Sequence, residues 1–251
     1  MLSRNQMKLL RSLQRKKDRQ QERLFVVEGG KPVAELLASN WPLHSLYLGE
    51  DFAAAHAALL QHTPVTLCSS EELTAAGTLA SNRDAIAIAR MPDEAPTIAL
   101  EQGEWVLALD RINDPGNLGT LLRIADWYGI RRVVCSPDTV ELYNPKVISA
   151  SMGSFLRVSV HYQPLADWLA DVPTGTQVLG AYLQGESVHA LPAMDGGGVL
   201  LMGSEAHGIA PQLANYVTRQ ITIPAFGAAE SLNVAVATAI ICDNLRRTGR
   251  H

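Results

Sequence analysis

The chain has 251 residues, 47% of them apolar and 18% charged, and its 21 Lys and Arg against 25 Asp and Glu leave a net charge of −4. That is the composition of an ordinary globular protein; it excludes disorder, collagen and coiled coil as descriptions of the whole. A chain of this length can bury roughly 70–75% of its unfolded surface, so it needs neither metal nor disulfide to hold together.

Residues 1–24 carry eight basic side chains, Arg4, Lys8, Arg11, Arg15, Lys16, Lys17, Arg19 and Arg23, opposed only by Asp18 and Glu22, a net +6 that leaves −10 for the rest. A basic arm on an acidic body suggests a polyanionic partner, because each Lys or Arg set against a phosphate releases condensed counterions. A solvated helix that binds nothing accounts for the same charge. This opening stretch lacks the apolar run of a signal peptide. The most apolar segment further on, SLNVAVATAIIC, is too short and too polar to span a bilayer.

Over 25–90, short apolar runs alternate with helical stretches. LFVVEG, LHSLYLG, VTLCS and DAIAIAR read as strands, and KPVAELLAS, DFAAAHAALLQ and EELTAAGTLA as helices. A small α/β domain is expected here. Residues 91–104, with Pro92, Pro96 and several acidic residues, read as its linker. A second α/β series fills 105–251. Its strands are WVLALD, RRVVCS, LRVSVHY, QVLGAYL, GVLLMG and RQITIP; its helices are LGTLLRIADWYG, NPKVISASMGS, PLADWLADV and SLNVAVATAIICDNLRR. Strands alternating with helices predict a parallel sheet covered on both faces, with ligands beyond the carboxyl ends of its strands.

Three loops after strands hold the candidate chemistry. In RINDPGNLGTLLRIADWYG (111–129), Asp114-Pro115-Gly116 predicts a tight turn and Asn117 a helix cap, with Arg123 six residues on among apolar neighbours. Such an arginine can equally snorkel or pair with a carboxylate. In GVLLMGSEAHGI (198–209), Gly203 allows a ligand close to the backbone, and Ser204 is a candidate cap before Glu205. In ITIPAFGAAESLNVAVATAI (221–240), Ser231 reads as a cap and Asn233 as a first-turn residue, a place Asn takes when it reaches for something. No phosphate-binding P-loop, G-x-G-x-x-G, G-x-S-x-G or H-E-x-x-H is present. A Rossmann-type cofactor enzyme is therefore disfavoured. Cys68, Cys135 and Cys242 are far apart and form no C-x-x-C, so they build no zinc knuckle and fit a reduced, cytoplasmic setting.

Taken in order, N-D-P-G-N-L-G-T-L-L-R-I-A, M-G-S-E-A-H-G-I and I-P-A-F-G-A-A-E-S-L-N-V-A-V-A resemble the three motifs of the SpoU (TrmH-type) RNA ribose 2′-O-methyltransferases of the SPOUT superfamily, over roughly 105–247. The front part is similar to the L30e-like substrate-binding domain that often precedes that catalytic domain. The resemblance implies a carboxyl-terminal trefoil knot, S-adenosylmethionine held by the knot loops, a homodimer, and an active site drawing on both subunits, with no metal. By motif match it assigns Arg123, Asn117, Glu205, Ser231 and Asn233 to catalysis and Gly203, Ile223 and Leu232 to the cofactor. Gly180 and Ala181 are further candidates for the cofactor pocket. The separate front domain and the basic arm favour a structured RNA as substrate, ribosomal RNA ahead of transfer RNA. A non-catalytic RNA-binding or ribosome-assembly module on the same fold is the alternative.

Overall fold

In the computed structural model, which describes residues 2–60, 63–93, 100–101, 103–194 and 196–248, the chain forms two units: Met1–Glu94 with Tyr143–Leu156, and Ala95–Leu142 with Arg157–His251. Half of the linker expected over 91–104, namely 94–99 and 102, lies outside the described residues.

The first unit opens with helices α1 (Arg4–Ser12) and α2 (Lys16–Glu22). Ser3 and Gln6 close a reciprocal cap on α1, which satisfies two amide groups that the first turn would otherwise leave unpaired. Residues 4–22 are therefore not a loose arm. Leu10 and Leu13 are fully buried, in one core cluster with Leu24, Val26, Tyr47, Leu73, Ile86 and Ile88. Arg19 is also buried, and its guanidinium donates to the Leu13 carbonyl at 2.8 Å, which removes it from the exposed basic set. Beyond these come β1 (Leu24–Glu28), α3 (Gly30–Ala38), β2 (Leu43–Leu48), α4 (Glu50–Ala55), β3 (Val65–Leu67), α5 (Ser70–Ala76) and β4 (Ala85–Arg90). The strands form a mixed sheet in the order β1-β4-β2-β3, with β2 and β3 parallel and the other pairs antiparallel. The helix expected to run to Ala80 stops at Gly77, where a Cβ would stand 2.4 Å from Glu28 Oε2.

The second unit runs β5 (Trp105–Leu109), α6 (Pro115–Trp127) and β6 (Arg132–Cys135). The chain then gives α7 (Pro145–Ser151) to the first unit and returns for β7 (Ser159–Tyr162), α8 (Leu165–Ala170), β8 (Val178–Ser187), β9 (Gly198–Met202), β10 (Arg219–Thr222) and α9 (Val234–Thr248). All six strands are parallel, in the order β10-β8-β9-β5-β6-β7. The central strands β5 and β9 are buried along their whole length, as a parallel sheet covered on both faces requires. Val106, Ala108, Val199 and Leu201 pack with Trp168 and Leu169 of α8 and with Ile209, Ala210 and Leu213. Alternate residues such as Leu107 and Leu200 point to the other face.

Residues 143–156 form their helix as expected and pack within the first unit: Tyr143 and Phe155 lie against Phe25 of β1 at ring separations of 4.6 and 5.9 Å, and Trp41 closes the group on Phe155 at 6.0 Å. Burial pushes the Tyr143 phenol up to about 12.

Candidate active site

Parallel pairing sets the carboxyl ends of β10, β8, β9 and β5 side by side. Gly180 is level with Leu201, and Leu109 with Met202, so the chains leaving these strands emerge along one edge of the sheet. The three motif loops begin there or close by.

The first loop leads into α6. Its cap is Asp114 rather than Asn117: the Asp114 carboxylate accepts from the Asn117 backbone N–H at 2.9 Å, and Pro115 occupies the first helical position. Asn117 thus stands inside the first turn with its side chain unused by the helix. The third loop shows the same displacement. Helix α9 starts at Val234, and Asn233 rather than Ser231 caps it, its Oδ1 accepting from the amides of Ala235 and Val236 at 3.0 and 3.3 Å. The second loop starts no helix. Ser204 bridges to Gly208, its Oγ accepts from His207 N–H at 3.2 Å, and the turn closes on itself.

The Asn233 amide joins all three loops. Its Nδ2 donates to Asn117 Oδ1 at 2.9 Å and to Glu205 Oε1 at 2.7 Å, and Glu205 Oε1 also accepts from Val234 N–H at 3.3 Å. One side chain therefore caps α9 and ties its start to α6 and to the turn after β9. Glu205 and Asn233 are exposed and Asn117 half-buried, so water weakens these bonds relative to buried ones. The cluster's main physical effect is to fix geometry.

The remaining candidates are placed as follows. Arg123 is exposed on α6, two turns beyond Asp114, and makes no hydrogen bond or ion pair among the described residues. Ser231 is exposed, and neither it nor Arg123 is hydrogen-bonded to the cluster. Ile223 is half-buried, and Leu232 is 46% exposed. Between Gly180 and Glu186 the pairing of β8 with β10 shifts, so Ala181–Gly185 bulge outward, and Thr222 donates to the Leu183 carbonyl at 3.1 Å. Leu183, Phe226 and Leu232 on these loops all present apolar surface to solvent, which a planar apolar ligand would cover. Both glycines have reasons within the chain itself. A Cβ at Gly203 would stand 2.0 Å from the Gly208 carbonyl carbon, and one at Gly180 would strike Tyr182 and Val217.

These features coincide with a family. Residues 104–243 match the model of the SpoU rRNA methylase family. The chain belongs to that family. Residues 4–86 match the MRM3-like substrate binding domain. The chain is similar to the 23S rRNA (guanosine(2553)-2′-O)-methyltransferase RlmP of Bacillus subtilis, 29% identical over 94% of both chains. Among solved structures it is similar to a TrmH-family protein from Porphyromonas gingivalis (37% identity, 98% and 99% coverage, TM-score 0.84). It is also similar to the AdoMet-bound rRNA methyltransferase of Sinorhizobium meliloti (29% identity, 98% and 96% coverage, TM-score 0.87).

Within this SpoU domain, Cys135 and Cys242 are buried, and burial pushes both thiols up, Cys242 to about 12, so neither is a ready nucleophile. Among the described residues no group of three or more His, Cys, Asp or Glu is arranged to hold a metal, and no helix is long and apolar enough to cross a membrane. The motifs did not single out Asp110 and Arg111, which follow β5 directly. Asp110 is buried at the end of an apolar strand and accepts from Ala210 N–H at 2.7 Å. The signal available was a charged residue closing a fully apolar run, followed at once by one of opposite charge.

Proposed function

We propose that this chain transfers a methyl group from S-adenosylmethionine to a ribose 2′-hydroxyl of 23S ribosomal RNA, and that the Asn117–Asn233–Glu205 cluster organises the site. The observation that carries this is the convergence of three loops on one amide, at the edge of a parallel sheet where ligands of such folds collect. S-adenosylmethionine supplies an activated methyl on a sulfonium. Ile223, Leu232, Gly203, Gly180 and Ala181 are the proposed lining; exposed apolar Leu232 and the strand-end position of the loops suit an adenine, while the two glycines are already accounted for by packing.

The role of Arg123 follows from its chemistry. A guanidinium is a fork of N–H donors with no acceptor, so Arg123 is read as an electrostatic group, and the proton of the 2′-hydroxyl passes to water as the methyl leaves the sulfonium. Its planar fork suits a substrate phosphate, and its charge opposes the negative charge that grows on the 2′-oxygen as the methyl is taken. Asn117, Glu205 and Asn233 hold the ribose and the start of α9 in register, because alignment of hydroxyl and methyl carries much of an in-line displacement.

The reading includes a homodimer whose site draws on two copies, with Arg123 and Ser231 exposed on each. The packed helices α6 and α9 also expose Trp127 (84%) and Val236 (48%), apolar surface that a second copy would cover. The strand order favours the knot: β8, β9 and β10 follow one another in the chain, yet β9 enters between β8 and β5 while β10 returns outside β8. In the amino-terminal domain, Arg4, Lys8, Arg11 and Arg15 line a groove of about 770 Å³ along α1, suited to an RNA backbone. Free, buried cysteines accord with a reduced cytoplasmic setting.

Mapping ribose 2′-O-methyl marks in the rRNA of a strain lacking the gene, against its parent, tests the proposal. One 23S position should lose its mark. An unchanged map, with no labelled S-adenosylmethionine bound by the purified chain, favours the non-catalytic RNA-binding alternative.

A further inference from the structure

The turn Gly203–Ala210 carries Glu205 and is braced internally, by the Ser204–Gly208 bridge and by the close approach that only a glycine at 203 permits. Internal bracing sets the shape of the turn but not its placement on the sheet. Two contacts from the end of β5 set the placement. The buried Asp110 carboxylate accepts from Ala210 N–H at 2.7 Å. The Arg111 guanidinium grips the same carboxylate through Nε and an Nη, both at 3.1 Å, and that Nη also donates to the Gly208 carbonyl at 3.2 Å. A charge-assisted fork of this kind has direction as well as strength.

Arg111 holds this position against its own backbone. Its φ is +57°, in the left-handed region that disfavours side chains other than glycine, asparagine and aspartate. A strained residue whose side chain makes three directed hydrogen bonds points to a placement role. The β5 end also continues into the Asp114 cap of α6, so one short segment touches both the turn that presents Glu205 and the helix that presents Asn117 and Arg123.

We infer that Arg111, with Asp110, is a latch that positions the Glu205 turn, so that Arg111 acts on methyl transfer through Glu205 rather than by touching substrate. The inference rests on the proposed methyltransferase reading for its kinetic consequence but not for its structural one.

Arg111→Gly is the telling variant, because glycine suits a φ of +57° and the fold should survive the loss of the side chain. Two readouts are taken on the full-length protein. Amide exchange of Gly208–Ala210, which needs no activity, should speed at least about tenfold more in Arg111→Gly than exchange of the buried β9 amides, which reports any general loss of stability from leaving Asp110 unpaired. In the kinetic readout, Arg111→Gly should lower methylation at least about tenfold in the parent background but less than about twofold on top of Glu205→Gln, the non-additivity expected of residues acting as one unit. Arg111→Lys should recover part of the loss. Unchanged exchange at 208–210, or fully additive kinetic losses, overturns the latch. If the parent chain methylates no RNA while exchange responds as stated, the methyltransferase reading fails and the latch stands.

Discussion

The two units hold their polar side chains in opposite ways. In the first, seven of the eight basic residues of 1–24 stand exposed, two of them held locally (Arg15 by Asp18 and Arg23 by the Pro92 carbonyl), with only Arg19 buried. In the second, Asn117, Glu205 and Asn233 turn toward one another and share directed hydrogen bonds. Outward cations act at long range, tolerate small displacements and fade with salt. A converged cluster acts over about 3 Å, is sensitive to geometry and resists salt. Substitutions in the two units should therefore fail differently.

The largest effect is expected at Arg123. Arg123→Ala should reduce methyl transfer by about 10²–10³, the range for removing one group that opposes developing charge, with S-adenosylmethionine affinity unchanged in a binding titration. Arg123→Lys keeps the charge without the fork and should also lose most activity.

Asn233 comes next and separates cap from cluster. Asn233→Ala removes both, costing about 0.5–2 kcal/mol of stability for the cap in a denaturant titration and about thirtyfold in rate, as two hydrogen bonds of ~1 kcal/mol each suggest. Asn233→Asp keeps a capping oxygen but loses the donors and sets a carboxylate beside Glu205. It should hold its stability and still lose rate.

The smallest effect per residue is expected on α1. Replacing Arg4, Lys8 and Arg11 together with alanine should reduce the salt slope of RNA binding by about 2–3, near 0.7–0.9 for each phosphate that is no longer neutralised, with cofactor affinity unchanged. An unaltered slope would place the RNA elsewhere. Point substitutions are needed because removing residues 1–20 would take Leu10 and Leu13 out of the core.

Much of the fold was legible from periodicity. Every strand and most helices lie where alternation and 3.6-residue spacing put them, because these patterns reflect burial along each element. Helix starts were less legible. Asp114 and Asn117, and likewise Ser231 and Asn233, are all capable caps; Pro115, with its preference for the first helical position, was the local signal for Asp114. Asn233 is selected by partners 116 and 28 residues away in the chain, which no local pattern contains. The docking of 143–156 on Phe25 depends in the same way on a distant aromatic. In the opening segment net charge hid a second pattern: Leu10 and Leu13, three residues apart, mark a buried helix edge among the lysines and arginines.

The most direct measurement is transfer of a labelled methyl from S-adenosylmethionine to 23S rRNA prepared from a strain lacking the gene, with the parent protein and Arg123→Ala side by side. The account predicts one ribose 2′-O-methyl per RNA molecule with the parent and an initial labelling rate about 10²–10³-fold lower with the variant. Equal labelling by both proteins, or no labelling of rRNA by the parent, would contradict it.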